Sequence, residues 1–311
     1  MTARDQSGMS TTEVLIMATV MSVLMIMVTE SMNTLSGVRS EQRAAFRLGD
    51  VADRVARRVE RDVDYSTRIF GDSAQDGDYL QAMDVGYDLI GNGARLPRLT
   101  ANGYFEPDPP GVAETGNVLF VARRGPRVEV KYGMTGQFHV QSLVFVVTAP
   151  IPEATSFDLI RWISDPIVDY WDINEITDPI ARIDVLEQLY DNGVRYAWDS
   201  TSPRATGLFE VTPSGTLSQL ATDAYVSGGE AVDSSRPFGK RRMRLAANGK
   251  AGRWTVPAYA KADGTFPCGF EIKIDGSAAG KLLMLRMIAE SVSPTAQDVA
   301  VEIQRFFSSQ G

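Results

Sequence analysis

Hydrophobic positions follow three rhythms along this chain, and each predicts a different element. The first is a solid block. Residues 14–28 carry no charge and are broken only by Thr19 and Ser22. Extended back to Met9, the block is twenty residues long, about 30 Å as a helix, which is one hydrocarbon thickness. No second run of this kind occurs, so the chain either crosses a membrane once or is exported through one. The second rhythm has a period of four. Val51, Val55, Val59 and Val63 recur beside Ala52 and Ala56, with Arg54, Arg57, Arg58, Arg61, Asp50, Asp53, Glu60 and Asp62 on the other faces. That is an apolar stripe on a helix. Asp50/Arg54 and Asp53/Arg57 are i,i+4 pairs in the favourable order. Residues 30–65 contain no Pro, so both rhythms belong to one predicted helix over 9–66, roughly 85 Å long if unbroken.

The third rhythm begins past Arg68. Residues 71–116 are rich in Gly, Asp and Pro and read as loops with short elements. Strand-like runs follow at 117–123, 127–132 and 137–148, with Arg124-Gly125-Pro126 as a turn between the first two. Runs at 207–211 and 216–220 flank Thr212-Pro213-Ser214-Gly215, and those at 241–246 and 253–256 flank Asn248-Gly249. Those at 270–274 and 281–289 predict a hairpin about Asp275-Gly276-Ser277. Two helices stand apart. Asp178-Pro179 reads as N-cap and first helical residue, with Ile180, Ile183, Leu186 and Leu189 on one face and Gly193 as the stop. Ser293-Pro294 opens the other, whose face carries Val299, Ile303 and Phe306 or Phe307. The predicted class is α+β: a long N-terminal helix packed on an antiparallel sheet, in a head over 67–311 with a helical insert at 151–198.

Composition narrows the chemistry. The 311 residues are 44% hydrophobic and 23% charged, enough for a folded core and about two domains by length. There are 31 Lys and Arg against 39 Asp and Glu, and a net charge of -8 argues against a non-specific nucleic-acid binder. One cysteine, Cys268, forms no internal disulfide and no cysteine-rich zinc site; one histidine, His139, excludes a two-histidine metal centre. His139 alternates with Phe138 and Val140 and reads as a rim residue on a strand. A catalytic Cys268–His139 pair has no local support, because an activated thiolate needs a basic or helix-N-terminal setting. Composition therefore weighs against an enzyme, and no catalytic residue or required cofactor is predicted.

Two clusters remain. Asp72, Asp76 and Asp78 fall close together with Gly71 and Gly77. Closely spaced carboxylates with glycine can wrap Ca²⁺, though the spacing misses the EF-hand pattern and Asp-Gly loops are common as plain turns. Lys240, Arg241, Arg242 and Arg244 form the densest basic group. On a strand they guard an edge against aggregation or make a partner patch.

Three readings compete for the N-terminal block. A secretory signal would need a basic start and a small-x-small site, but Arg4 is cancelled by Asp5 and no Ala-x-Ala follows Val28. A plain membrane anchor fits the length and leaves Glu13 unexplained, since a carboxylate in a spanning helix costs up to ~2.5–3.5 kcal/mol and normally has a partner. The third reading uses Glu13. The segment Gly8-Met9-Ser10-Thr11-Thr12-Glu13-Val14-Leu15 resembles the prepilin cleavage motif of type IV pilins and type II secretion pseudopilins. The resemblance implies a prepilin peptidase cut after Gly8, N-methylation of Met9 and a fifth mature residue, Glu13, that pairs with a neighbour's N-terminal ammonium during assembly. Met9, Thr11 and Thr12 depart from the family's usual residues there. The stretch Phe266-Pro267-Cys268-Gly269-Phe270-Glu271-Ile272-Lys273-Ile274 resembles the late strand of J-type minor pseudopilins.

The expected protein is thus a minor pilin or pseudopilin: residues 1–8 a leader, 9–29 a transmembrane or filament-core segment, and the head in the periplasm. Its expected partners are prepilin peptidase, other pilins or pseudopilins, the assembly platform and the inner membrane, in a pilus or type II secretion machine, with nucleic acid unexpected. The alternative is a single-pass, membrane-anchored periplasmic binding protein.

Overall fold

A helix with an apolar first half and an amphipathic second half has to find a different surrounding for each. The computed structural model describes residues 10–82, 95–131, 136–150, 156–198, 208–211, 217–219, 229–231, 243–246, 259–260, 269–277, 280–291 and 299–309. Contacts divide the chain into two units, one ending at Arg47 and one beginning at Leu48. Helix α1 (Thr11–Asp64) contributes to both. In the first unit its apolar side chains from Val14 to Val28 are exposed. Thr19, Ser22, Thr29 and Thr34 each donate their hydroxyl to the carbonyl four residues back, at 2.8 to 2.9 Å. That satisfies a hydroxyl without water. Among the described residues, this is the one helix long and apolar enough to cross a membrane.

In the second unit the chain runs through β1 (Ser66–Ile69), α2 (Ala74–Ala82), β2 (Leu99–Thr100), β3 (Leu119–Val130), β4 (Gly136–Pro150) and β5 (Ser156–Ile163). It continues through β6 (Ile167–Asp169), α3 (Tyr170–Asn174), α4 (Pro179–Asp191), β7 (Tyr196–Trp198), β8 (Leu208–Val211), β9 (Leu217–Gln219) and β10 (Gly229–Ala231). Then come β11 (Met243–Ala246), β12 (Phe270–Ser277), β13 (Gly280–Ser291) and β14 (Val299–Ser309). The strands form one sheet whose main path is β2-β12-β13-β11-β5-β4-β6-β7-β8-β9. Strands β3, β10 and β14 pair with β4, β5 and β13, and β1 pairs with β3. Pairing is antiparallel except at β2–β12 and β6–β7.

The valine stripe makes the core. Leu48, Val51, Ala52, Val55, Ala56, Val59 and Val63 pack against Leu119, Val121, Val144, Val146, Leu159, Ile272, Ile274, Leu283, Leu285 and Phe307. These strand residues alternate by two, so they share the face of the sheet that the helix covers. The intervening positions build an aromatic layer instead. Phe70 stacks on Phe120 at 4.0 Å and meets Tyr79 edge-on, and Tyr79 lies 5.4 Å from Trp198. An α+β class with a mainly antiparallel sheet agrees with the sequence expectation.

Three local expectations change. Arg124-Gly125-Pro126 is no turn, because β3 continues through it. Arg124 pairs with Gln141 and Arg127 with His139, so one extra residue is accommodated as a bulge in a single strand. The predicted C-terminal helix is strand β14, in register with β13 from Lys281↔Ser309 to Ser291↔Val299. A spacing of four, as between Val299 and Ile303, fits both periods. The intervening Val301, also partly buried against the core, decides for the strand. The stretch 151–198 is not a helical insert as a whole: β5 lies inside the sheet between β4 and β11, and helix is confined to α3 and α4.

Helix α4 itself starts as expected. The Ile180 N–H donates to Asp178 Oδ1 at 3.0 Å, Pro179 is the first helical residue, and Gly193 takes φ +78° just past the end. Its buried face is Val185, Leu186 and Leu189, packed on Phe138, Val140 and Val168, while Ile180 points to solvent. The 270–289 hairpin forms, with pairing that extends to Ser277↔Gly280. The run at 253–256 and the Asn248-Gly249 turn lie outside the described residues.

Candidate functional site

The start of α1 is closed by two reciprocal hydrogen bonds. The Ser10 backbone N–H donates to Glu13 Oε2 at 3.0 Å, and the Glu13 N–H donates to Ser10 Oγ at 3.3 Å. Ser10-Thr11-Thr12-Glu13 is therefore a capping box, which satisfies donors that every helix start leaves free. The Glu13 carboxylate also sits at the positive end of the helix dipole. Ser10 is absent from the residues singled out above, although Ser-x-x-Glu ahead of an apolar run is the signal for this box. Gly8 and Met9 lie outside the described residues. What the site holds chemically is one carboxylate, next to the beginning of an exposed apolar helix.

The aspartate cluster is committed locally. Asp76 Oδ1 accepts from Arg68 Nη2 at 2.7 Å, and its Oδ2 accepts from the Gly71 N–H at 2.9 Å. The Asp76 N–H donates to Ser73 Oγ at 3.1 Å, so Ser73 caps α2. Both Asp76 oxygens thus face donors of the chain itself, the Arg68 guanidinium and the Gly71 N–H. Asp72 is exposed, and the Asp78 side chain lies outside the described residues. Among the described residues no group of three or more His, Cys, Asp or Glu is placed to hold a metal ion.

His139 is exposed on β4, opposite Arg127 of β3, while Phe138 and Val140 on either side are buried. Cys268 and Lys240, Arg241 and Arg242 lie outside the described residues; Arg244 is in backbone register with Glu290 on β13.

A buried layer of charge lies on the sheet face opposite the helix, where alternation alone would place solvent. Glu271, Lys273 and Asp275 alternate with Phe270, Ile272 and Ile274 along β12, and all six are buried. Lys273 Nζ donates to the Glu106 carbonyl at 2.7 Å, to Asp108 Oδ1 at 3.0 Å and to Glu114 Oε2 at 3.1 Å, which uses all three of its protons. Glu271 accepts from the Ala260 N–H at 3.0 Å and from Arg286 Nη1 at 2.9 Å. Burial pushes the Glu271 carboxyl above the usual range, against the pull of those donors. Arg286 also donates to Glu302 Oε1 at 2.6 Å; burial opposes its charge, but the two glutamates outweigh that and raise it. The layer ties the 98–117 segment to the sheet through these mutual hydrogen bonds.

Compared with known proteins, the chain matches no family model, no curated protein and no solved structure.

Proposed function

We propose that this chain is a minor, J-type-like pilin or pseudopilin. It is a structural subunit and not a catalyst. Prepilin peptidase cuts it after Gly8 and methylates Met9. It waits as a single-pass protein of the inner membrane with its second unit in the periplasm. The assembly platform then recruits it, with other pilins or pseudopilins, into a type IV pilus or a type II secretion pseudopilus. The bulk of residues 48–311 favours a priming or tip position over stacking along a shaft.

The observation that carries this reading is register. A Gly, a new first residue and a fifth-position Glu stand in line at the head of an apolar helix whose side chains are exposed. Such a surface needs a covering of lipid or of neighbouring helices. The capping box favours a second reading, a membrane-anchored periplasmic binding protein with an intact N-terminus, because it gives Glu13 a local task that requires no neighbour.

The test is the intact mass and N-terminal sequence of the protein from native membranes, beside a Gly8→Ala form. Loss of residues 1–8 with a methyl group on Met9, blocked in the variant, is the expected result. An unprocessed N-terminus in both forms overturns the pilin reading and leaves the anchored binding protein. Cleavage near Ser36 would mean an exported protein and overturn both.

A further inference from the structure

The last part of α1 and the neighbouring strands enclose a groove of about 750 Å³. That is within the ~300–1,000 Å³ typical of small-molecule sites. Arg54, Arg57, Arg58 and Arg61 line it from α1, Arg123 from β3, and Arg161 from β5. Asp62 is the one carboxylate among the lining residues. It is buried and already shared: Arg161 donates to it through Nε at 2.7 Å and Nη2 at 2.9 Å, and Arg123 Nη1 at 3.3 Å. Asp53 holds Arg57. Arg54 and Arg61 are exposed and have no carboxylate partner among the described residues. The sequence-predicted Asp50–Arg54 bridge is not formed.

This arrangement works against the fold. Residues 54, 57, 58 and 61 are neighbours at i,i+3 and i,i+4, so the helix places like charges side by side. The sequence is acidic overall, at -8, yet six guanidinium groups converge on one groove. Asp62 and Asp53 offset Arg161, Arg123 and Arg57, while the exposed Arg54 and Arg61 add charge to the same groove, and such a local excess marks a place kept for something else. Guanidinium forks donate in pairs to phosphate or carboxylate oxygens. Donors approaching from a helix and two strands suit a tetrahedral group with acceptors on every side better than a planar one.

We propose that this groove binds a small polyanion carrying two or more phosphate groups, with Arg161 and Arg123, positioned by Asp62, as its floor and Arg54 and Arg61 as the side chains that close on the ligand. The site is one of binding, without turnover, and it is independent of how the N-terminus is processed.

The probe is inorganic pyrophosphate, titrated calorimetrically into the full chain in a neutral detergent and phosphate-free buffer. The variants are Arg54→Gln, Arg61→Gln and, as a control on an exposed arginine outside the groove, Arg98→Gln. Circular dichroism verifies that each variant is folded. Saturable binding is expected in the parent, weakened roughly tenfold or more by each groove variant, unchanged by Arg98→Gln and weaker as salt rises. Absence of saturable binding overturns the proposal, as does an equal loss in Arg98→Gln. A poly-glutamate peptide that binds where pyrophosphate does not also overturns it, and assigns the groove to an acidic protein segment.

Discussion

Asp62 and Arg161 join α1 to β5 by a two-pronged ion pair, at 2.7 and 2.9 Å, with side chains only 2% and 5% exposed. Bidentate geometry is what lets a pair so far from water offset its desolvation. Removing one partner strands the other. Asp62→Ala should therefore destabilise the second unit by about 3–5 kcal/mol. Replacing both, as Asp62→Leu with Arg161→Met, should recover most of that loss. Chemical denaturation of the full chain, followed by tryptophan fluorescence, measures both. A single variant within ~1 kcal/mol of the parent would show the pair to be incidental.

The face that α4 buries keeps Leu186 and Leu189 of its sequence pattern and leaves Ile180 of the first turn in solvent, and truncation can read this directly. Leu186 is fully buried and Ile180 is 72% exposed. Leu186→Ala should cost about 2–5 kcal/mol, and Ile180→Ala should stay within ~0.5 kcal/mol. Equal costs at the two positions would restore the pattern-based face.

Glu271 makes stability depend on pH with a definite sign. Its carboxyl is raised above 4.5 by burial. Between that value and its folded pKa, the folded chain holds a proton that the unfolded chain has released. Stability from this group is greatest at the acid end of the window and falls as pH rises through it, by at most about 1.4 kcal/mol per pH unit. Unfolding free energies measured against pH should follow this slope in the parent and be flatter in Glu271→Gln. A variant as steep as the parent would place the titrating group elsewhere.

Glu13 closes the capping box, and the proposed function gives it a second task that a variant can separate from the first. Gln at the third helical position still completes a capping box, but it offers no charge to an incoming ammonium. On the proposed pilin reading, Glu13→Gln is expected to be processed after Gly8 and to be lost from sheared or secreted filaments, as read by immunoblot of cell and filament fractions. If it assembles normally, charge pairing is excluded and the box alone explains the residue.

Periodicity was enough wherever a single solution satisfied it. The charge-free run at 14–28 marks α1 by its length, and the valines at 51, 55, 59 and 63 mark it because the positions midway between them, Asp53, Arg57 and Arg61, are charged, which breaks a strand's alternation. Asp178-Pro179 and Gly193 mark α4 by local backbone rules that need no partner. Where two periods fit, context decided. Val299 and Ile303 suit a helix or a strand, and β13, which offers unpaired backbone along its whole length, makes β14 the strand.

Burial of charge was beyond any local rule. Glu271, Lys273 and Asp275 look like the wet side of a strand, but Glu106, Asp108 and Glu114 close on Lys273, Thr100 and Asn102 on Asp275, and Ala260 and Arg286 on Glu271. The arginines of α1 were visible as letters, but the groove exists only because β3 and β5 bring Arg123 and Arg161 beside them. The sequence by itself determined the elements whose signals are local, α1 and α4 among them, since those depend on near neighbours. Only the tertiary structure decided which charges meet, since an ion pair depends on distance in space and on the water that packing removes.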